Sequence, residues 1–252
     1  MSGHSKWASI KHKKGAADAK RGKLFSKLAK ELTVAARSGG GDTNTNAQLR
    51  MLVNKAKAAN MAADNIIRAI KKGTGELPGV TYEEITYEAY GPKGIAILIE
   101  VLTDNKNRTT AEIRAIFTKR GGSIAGQGSV QWMFNKKGFI LVKKESIGED
   151  EIMGIALEAG AEDMKHEGDM YEITTSAVDF EKVKAAFEEK NINIESAEIT
   201  MVPSSAIKVE SADAKSVLSL VDALEDHDDV QNVYANFDIP DNIIEEASGR
   251  SE

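Results

Sequence analysis

From about Asp18 to Arg37, Leu24, Leu28, Leu32 and Ala35 recur at helical spacing, with Phe25 and Ala36 beside them. At about 100° per residue these side chains cover one arc of a helix. Lys20, Lys23, Lys27, Lys30 and Arg37 fall on roughly the opposite arc. One face therefore suits a core while the other presents cations. The tract Gly39-Gly40-Gly41-Asp42-Thr43-Asn44 predicts the end of this helix and a loop. A second helix is expected near Ala47–Ala59, with Leu49, Leu52, Val53 and Ala56 inward. A third starts near Ala62–Asp64, buries Ile66, Ile67 and Ile70, and stops at Lys71-Lys72-Gly73, where cations in the last turn and a following glycine are stop signals. Residues 1–77 are thus expected to form an all-α domain. Gly73-Thr74-Gly75-Glu76-Leu77-Pro78-Gly79 reads as a linker.

Beyond it the pattern changes to strands alternating with helices. Tyr82–Tyr90 and Ile95–Leu102 are expected strands, the second nearly continuous apolar, as a buried strand would be. Thr109–Arg120 is an expected helix with a Thr109-x-x-Glu112 capping box. Gly121-Gly122 ends it, and Ser129–Phe134 is an expected strand. Phe139–Val142, helix 149–159, strands near 162–174, helix 177–190 and strand 192–200 then spell βαββαβ. Strand 95–102, helix 109–120, strands 129–134 and 206–210, helix 212–226 and strand 230–236 spell it again around the first set. The expected fold is multi-domain α+β: a basic three-helix domain (1–77) and two ferredoxin-like α/β domains. One of these (78–135 and 202–240) has the other (136–201) inserted in it, and 241–252 is a tail.

Charge sharpens this division. Residues 1–77 hold 16 Lys/Arg and 5 Asp/Glu; residues 78–252 hold 17 and 34. The overall formal charge of −6 therefore conceals +11 and −17, a split that suggests a polyanion partner for the basic part. The first 30 residues resemble an organellar transit peptide in being basic, but Arg21 is their only arginine and they run straight into the patterned helix. They are read as part of the mature fold. With no cysteine there is no disulfide framework, thiolate metal site or thiol nucleophile. No run of about 18 apolar residues suggests a membrane span.

The strongest candidate chemistry is Ser5-Lys6-Trp7-Ala8-Ser9-Ile10-Lys11-His12-Lys13-Lys14. Ammonium groups displace counterions from a phosphate backbone whatever the sequence. Lys6, Lys11, His12, Lys13 and Lys14, continued by Lys20, Arg21, Lys23, Lys27 and Lys30, are the candidate phosphate contacts. Trp7 either stacks on an unpaired base or, the preferred reading, anchors the arm on the helices. Thr103-Asp104-Asn105-Lys106-Asn107-Arg108-Thr109-Thr110 joins a buried strand to a helix start; it offers either an anion site with Arg108 as charged partner or ordinary Asx-turn capping. Gly121-Gly122 and Gly126-x-Gly128 fit no phosphate-loop spacing and read as turns. His4, His12, His166 and His227 form no zinc motif, and Asp226-His227-Asp228-Asp229 reads as a solvated turn. No catalytic constellation, cofactor site or metal site is expected.

Several blocks together resemble the YebC family of probable transcriptional regulators: Gly3 to Lys14 as a whole, Asp18-Ala19-Lys20-Arg21-Gly22-Lys23-Leu24-Phe25-Ser26-Lys27-Leu28, Tyr90-Gly91-Pro92-Lys93-Gly94, Leu102 to Thr109, and Gly121-Gly122-x-x-Ala125-x-x-Gly128-Ser129-Val130. The resemblance covers the whole chain and implies three domains, one basic and all-α, two α/β. It also implies a cytoplasmic location in bacteria and one of two functions. One is DNA-binding transcriptional regulation. The other is the ribosome-associated role of members such as the mitochondrial translational activator of cytochrome oxidase subunit one. The expectation is a non-enzymatic, nucleic-acid-binding regulatory protein, a probable DNA-binding regulator, with ribosomal RNA and translation as the alternative. No membrane or small-molecule substrate is expected as a partner. Charge alone does not separate DNA from RNA, because both are polyphosphates; the acidic remainder leans toward RNA and the family label toward transcription.

Overall fold

The computed structural model describes residues 18–240 and Ile243, without the side chains of residues 18–20, 167, 211 and 212. The described chain divides into two compact units, one formed by residues up to 131 together with those from 206, the other by 132–205 between them. No helix among the described residues is long and apolar enough to cross a membrane.

The first unit begins with α1 (Asp18–Gly39), α2 (Ala47–Ala58) and α3 (Ala63–Thr74). Leu28, Leu32, Ala35 and Ala36 of α1 close over Leu49, Val53 and Ala56 of α2 and over Ile66 and Ala69 of α3. Helix α1 and α3 approach most closely at Gly73, where a Cβ would strike the Thr33 carbonyl and the Ala36 methyl. Buried Asn46 fixes the α1–α2 corner. Its oxygen accepts the Leu49 N–H at 3.0 Å, and its amide donates to the Ala35 and Gly40 carbonyls at 2.8 Å, satisfying backbone groups that a helix end leaves open. Two expected core positions are corrected: Leu24 is 42% exposed and Ile67 50% exposed. Each lies at the edge of its helix's apolar arc, where burial ends.

The same unit carries β1 (Glu83–Tyr90), β2 (Ala96–Thr103), α4 (Lys106–Arg120), β3 (Ser123–Ile124), β8 (Ile207–Lys208), α7 (Ser211–Glu225), β9 (Val230–Ala235) and β10 (Phe237–Asp238). Its antiparallel sheet has the order β3-β1-β2-β9, while β8 and β10 form a separate parallel pair. Alternate residues of one face, among them Tyr87, Ala89, Ile97, Ile99, Val233 and Ala235, share a core with Ile113 and Phe117 of α4 and with the apolar side of α7.

Three expectations are revised here. Residues 129–133 are not a strand: Gln131–Met133 is a 3-10 turn, Phe134 opens the next strand, and the edge strand is the two-residue β3. The cause is Glu88, buried on the sheet's other face, whose carboxylate takes the N–H groups of Gly128 and Val130 at 2.6 Å and of Gln131 at 2.8 Å. Those donors are spent on a side chain and cannot build a ladder. The strand expected at 206–210 shrinks to two residues. Helix α4 begins three residues early, capped by Asn105 through the Arg108 N–H and not by a box at Thr109.

The second unit contains β4 (Phe134–Lys143), α5 (Glu149–Ala159), β5 (Ala161–Glu167), β6 (Met170–Ser176), α6 (Phe180–Glu189) and β7 (Ile194–Pro203). The strand order β5-β6-β4-β7, all antiparallel, is the ferredoxin-like arrangement that βαββαβ spells. Ile140, Val142 and Ile173 pack against Ile152 and Ala156 of α5 and Phe180, Val183 and Phe187 of α6. Gly138 admits this packing, since a Cβ there would run into the Thr175 hydroxyl and the Phe180 ring. The chain is α+β throughout.

Candidate nucleic-acid interface

Lys6, Trp7, Lys11, His12, Lys13 and Lys14 lie outside the described residues, as does the Lys20 side chain. Of the rest of the lysine arc, three members meet the turn between α7 and β9. Lys23 Nζ donates to the Asp226 carbonyl at 3.0 Å, Lys27 Nζ to the Glu225 carbonyl at 2.7 Å, and Lys30 Nζ to the Asp228 carbonyl at 2.9 Å. Carbonyls in the last turn of a helix lack intrahelical donors and form the negative end of its dipole. Carboxylates add to this: Lys23 lies 3.5 Å from Asp226, and Lys30 lies 2.7 Å from Asp229.

The contact is graded along α1. At its outer end both Lys23 and Asp226 are exposed, and such a pair contributes about 0.2–1 kcal/mol. At its inner end the side chains of Lys30 and Asp229 are 15% and 6% exposed, so water screens them far less. Lys30 also sits 5.8 Å from the centre of the Tyr82 ring. Burial, then the charges of Asp104 and Asp229, push the Tyr82 hydroxyl pKa up.

Asp229 is the centre of this arrangement. The solvated turn expected at 226–229 is corrected at Asp229, which is buried where Lys30 of α1 and Arg108 and Thr109 of α4 meet it, while Asp226 and Asp228 stay exposed. It accepts from Lys30, from the Thr109 hydroxyl and from Arg108, each at 2.7 Å, with the Thr103 hydroxyl at 3.3 Å. Burial alone would raise its pKa. The hydrogen bonds from Lys30, Thr109 and Arg108 outweigh that and hold it well below the usual carboxylate range.

Arg108, a candidate phosphate contact, is thereby bound to Asp229 and, at 3.0 Å, to Asp104. The Asn105 side chain takes the helix-start N–H of Arg108, so this tract realises the capping arrangement. His227 Nδ1 accepts the Asp229 N–H at 3.1 Å, which in the neutral ring leaves the proton on Nε2, 2.9 Å from Glu112. Ligand atoms of Glu112, His227 and Asp229 lie within 4.8 Å of one another. Lys30 and Arg108 already stand against that cluster, so its charge suits ion pairing better than a divalent cation.

Elsewhere on the helical layer, Arg50 is turned onto the carbonyls of Thr43 and Asn44 and Lys55 faces Glu31. Lys57 of α2 and Arg68, Lys71 and Lys72 of α3 are exposed and have no ion-pair partner among the described residues. These four lie outside the lysine arc of α1. Their signal in the sequence is modest but present: each falls off the buried positions of its helix, and Lys71-Lys72 reads there only as a helix stop.

The family model described as the TACO1/YebC protein N-terminal domain matches residues 5–76, and that described as the TACO1/YebC second and third domain matches residues 82–237. A probable transcriptional regulatory protein of Desulforapulum autotrophicum is 58% identical over 245 residues, covering 97% of this chain and 99% of its own. One of the same name from Dictyoglomus thermophilum is 57% identical over 249 residues, covering 98% and 100%. Among solved structures, a conserved hypothetical protein from Aquifex aeolicus superposes with a TM-score of 0.79 at 45% identity, covering 89% of this chain and 93% of that one.

Proposed function

Because the chain belongs to the TACO1/YebC family, we propose that it is a regulatory protein that binds nucleic acid by gripping phosphates with its basic N-terminal segment and helical layer. The observation that carries this is the charge split, +11 over residues 1–77 against −17 over the rest, together with exposed Lys57, Arg68, Lys71 and Lys72. Cations on one layer displace the counterions of a polyphosphate, and the free energy of that release is independent of base sequence. The relatives named as probable transcriptional regulators favour DNA and a role in transcription. The acidic remainder favours RNA, ribosomal RNA included, because a long duplex would be repelled along that surface. The protein acts by binding in the cytoplasm, not by turnover.

The test is a titration of the full chain and of the fourfold variant Lys57→Gln, Arg68→Gln, Lys71→Gln, Lys72→Gln against labelled duplex DNA and structured RNA over a range of salt. The slope of log affinity against log salt should shrink by roughly 0.7–0.9 for each phosphate that the variant no longer neutralises. Preference between the two ligands at physiological salt decides between DNA and RNA. Equal affinity and slope for both proteins would remove the helical layer from the grip.

A further inference from the structure

We infer that the contact between α1 and the α7–β9 turn is an autoinhibitory clasp, in which the turn holds Lys23, Lys27 and Lys30 in place of phosphate and a bound polyanion opens it. This rests on the phosphate-gripping function above and concerns its regulation.

The chemistry of the two occupants is the same. The lysines take three carbonyl oxygens and two carboxylates of Glu225–Asp229, oxygen acceptors of the kind that phosphate groups also offer. The carboxylates of Asp226 and Asp229 repel a phosphate brought against the same lysines, so the two contacts compete. The joint is polar. The helical layer and the sheet layer have separate apolar cores, with no residue common to both, so parting them at the clasp does not tear a shared core.

The clasp is also arranged to open without leaving a bare charge behind. Once Lys30 departs, Asp229 keeps Arg108 and Thr109 at 2.7 Å and Thr103 at 3.3 Å, which avoids the high cost of an unpaired buried carboxylate. The gradient gives the order of events: exposed Lys23 exchanges first, then Lys27, and Lys30 last. Tyr82, whose ring faces Lys30, stands beside the 75–81 connection that ties the two layers covalently.

The experiment uses the absence of cysteine in the native chain. Ser26→Cys and Asp228→Cys place one thiol on each side of the clasp. Both residues are exposed, and Asp228 contributes only its main-chain carbonyl. A bismaleimide with a disulfide at its centre locks the clasp, and reduction of that linker releases it in the same molecule. Both forms are titrated with a labelled structured RNA and a DNA duplex. The locked form should bind at least about tenfold more weakly near 0.1 M salt, with a slope shallower by about 2, and reduction should restore both. Equal binding by locked and released forms overturns the clasp while leaving nucleic-acid binding in place. Binding by neither form overturns both.

A second arm loosens the clasp with Asp226→Asn, which removes the carboxylate that faces Lys23. Affinity should rise about two- to fivefold, the scale of exposed ion pairs. The same change of charge at exposed Glu181 of α6, Glu181→Gln, should leave affinity unchanged. An equal rise in both variants would mean a long-range field and overturn the clasp.

Discussion

Two buried carboxylates carry much of the first unit's polar order, and each makes a distinct prediction. Glu88 organises the 128–131 loop through three short N–H bonds. Burial pushes its pKa up, but the N–H groups of Val130, Gly128, Gln131 and Ser129 pull it below the ordinary value. Glu88→Gln keeps the size, removes the charge, and points an NH2 group at donors. It should cost about 2 kcal/mol, the scale of a hydrogen bond to a charged group, seen as a lower urea midpoint at pH 7. The pH dependence has a definite sign. Glu88 and Asp229 both have folded pKa values below their ordinary 4.5 and 3.8. Their stabilisation is therefore fully present above those ordinary values and is lost as pH falls through the folded ones. Melts between pH 7 and pH 3 should show stability falling on the acid side, and the fall should be shallower in Glu88→Gln. An equally steep fall in that variant would exclude Glu88 as a contributor.

At the scale of elements, two helical glycines should respond in opposite directions. Gly73→Ala drives a methyl into the Thr33 carbonyl and Ala36 where α3 crosses α1, so the helical layer should lose about 1–3 kcal/mol. Gly22 in α1 has nothing within 4 Å of its missing Cβ. Gly22→Ala should therefore stabilise by about 0.5–1 kcal/mol through the unfolded chain and helix propensity. Denaturation followed by circular dichroism checks both. Leu28→Ala, at a fully buried position of α1, should cost about 2–5 kcal/mol and lower helicity near its midpoint.

These elements also mark what the sequence makes legible. The three helices of the first layer and the βαββαβ order of the second unit are readable because 3.6-residue and two-residue periods, with glycine and asparagine stops, are local signals. The 129–134 segment misleads because Val130, Trp132 and Phe134 alternate like a strand, while the group that consumes its N–H donors is Glu88, some forty residues upstream. Likewise the lysine arc is visible in α1, but its partner lies about 200 residues further along the chain. A cationic stripe looks the same whether it awaits phosphate or a carboxylate of its own chain. Asp229 reads as solvated for the same reason: nothing local shows that Lys30, Arg108 and Thr109 converge on it.

At the scale of the whole molecule, separate cores imply separable stability. Amide exchange of residues 18–74 should speed up in Gly73→Ala while the β2 amides of residues 96–103, buried within the other core, keep their protection. Uniform acceleration of both would show that the two layers unfold as one.

The long separation between the lysines and the acids has a consequence in time. Synthesis delivers α1 about 200 residues ahead of the Glu225–Asp229 turn, because residues 132–205 are made between the two parts of the first unit. At roughly 5–20 residues per second, the lysines wait about 10–40 s for their partner. Throughout that interval a newborn chain presents its cations uncovered, beside the RNA-rich machine that is making it, and it acquires its own restraint only as α7 and the turn after it emerge.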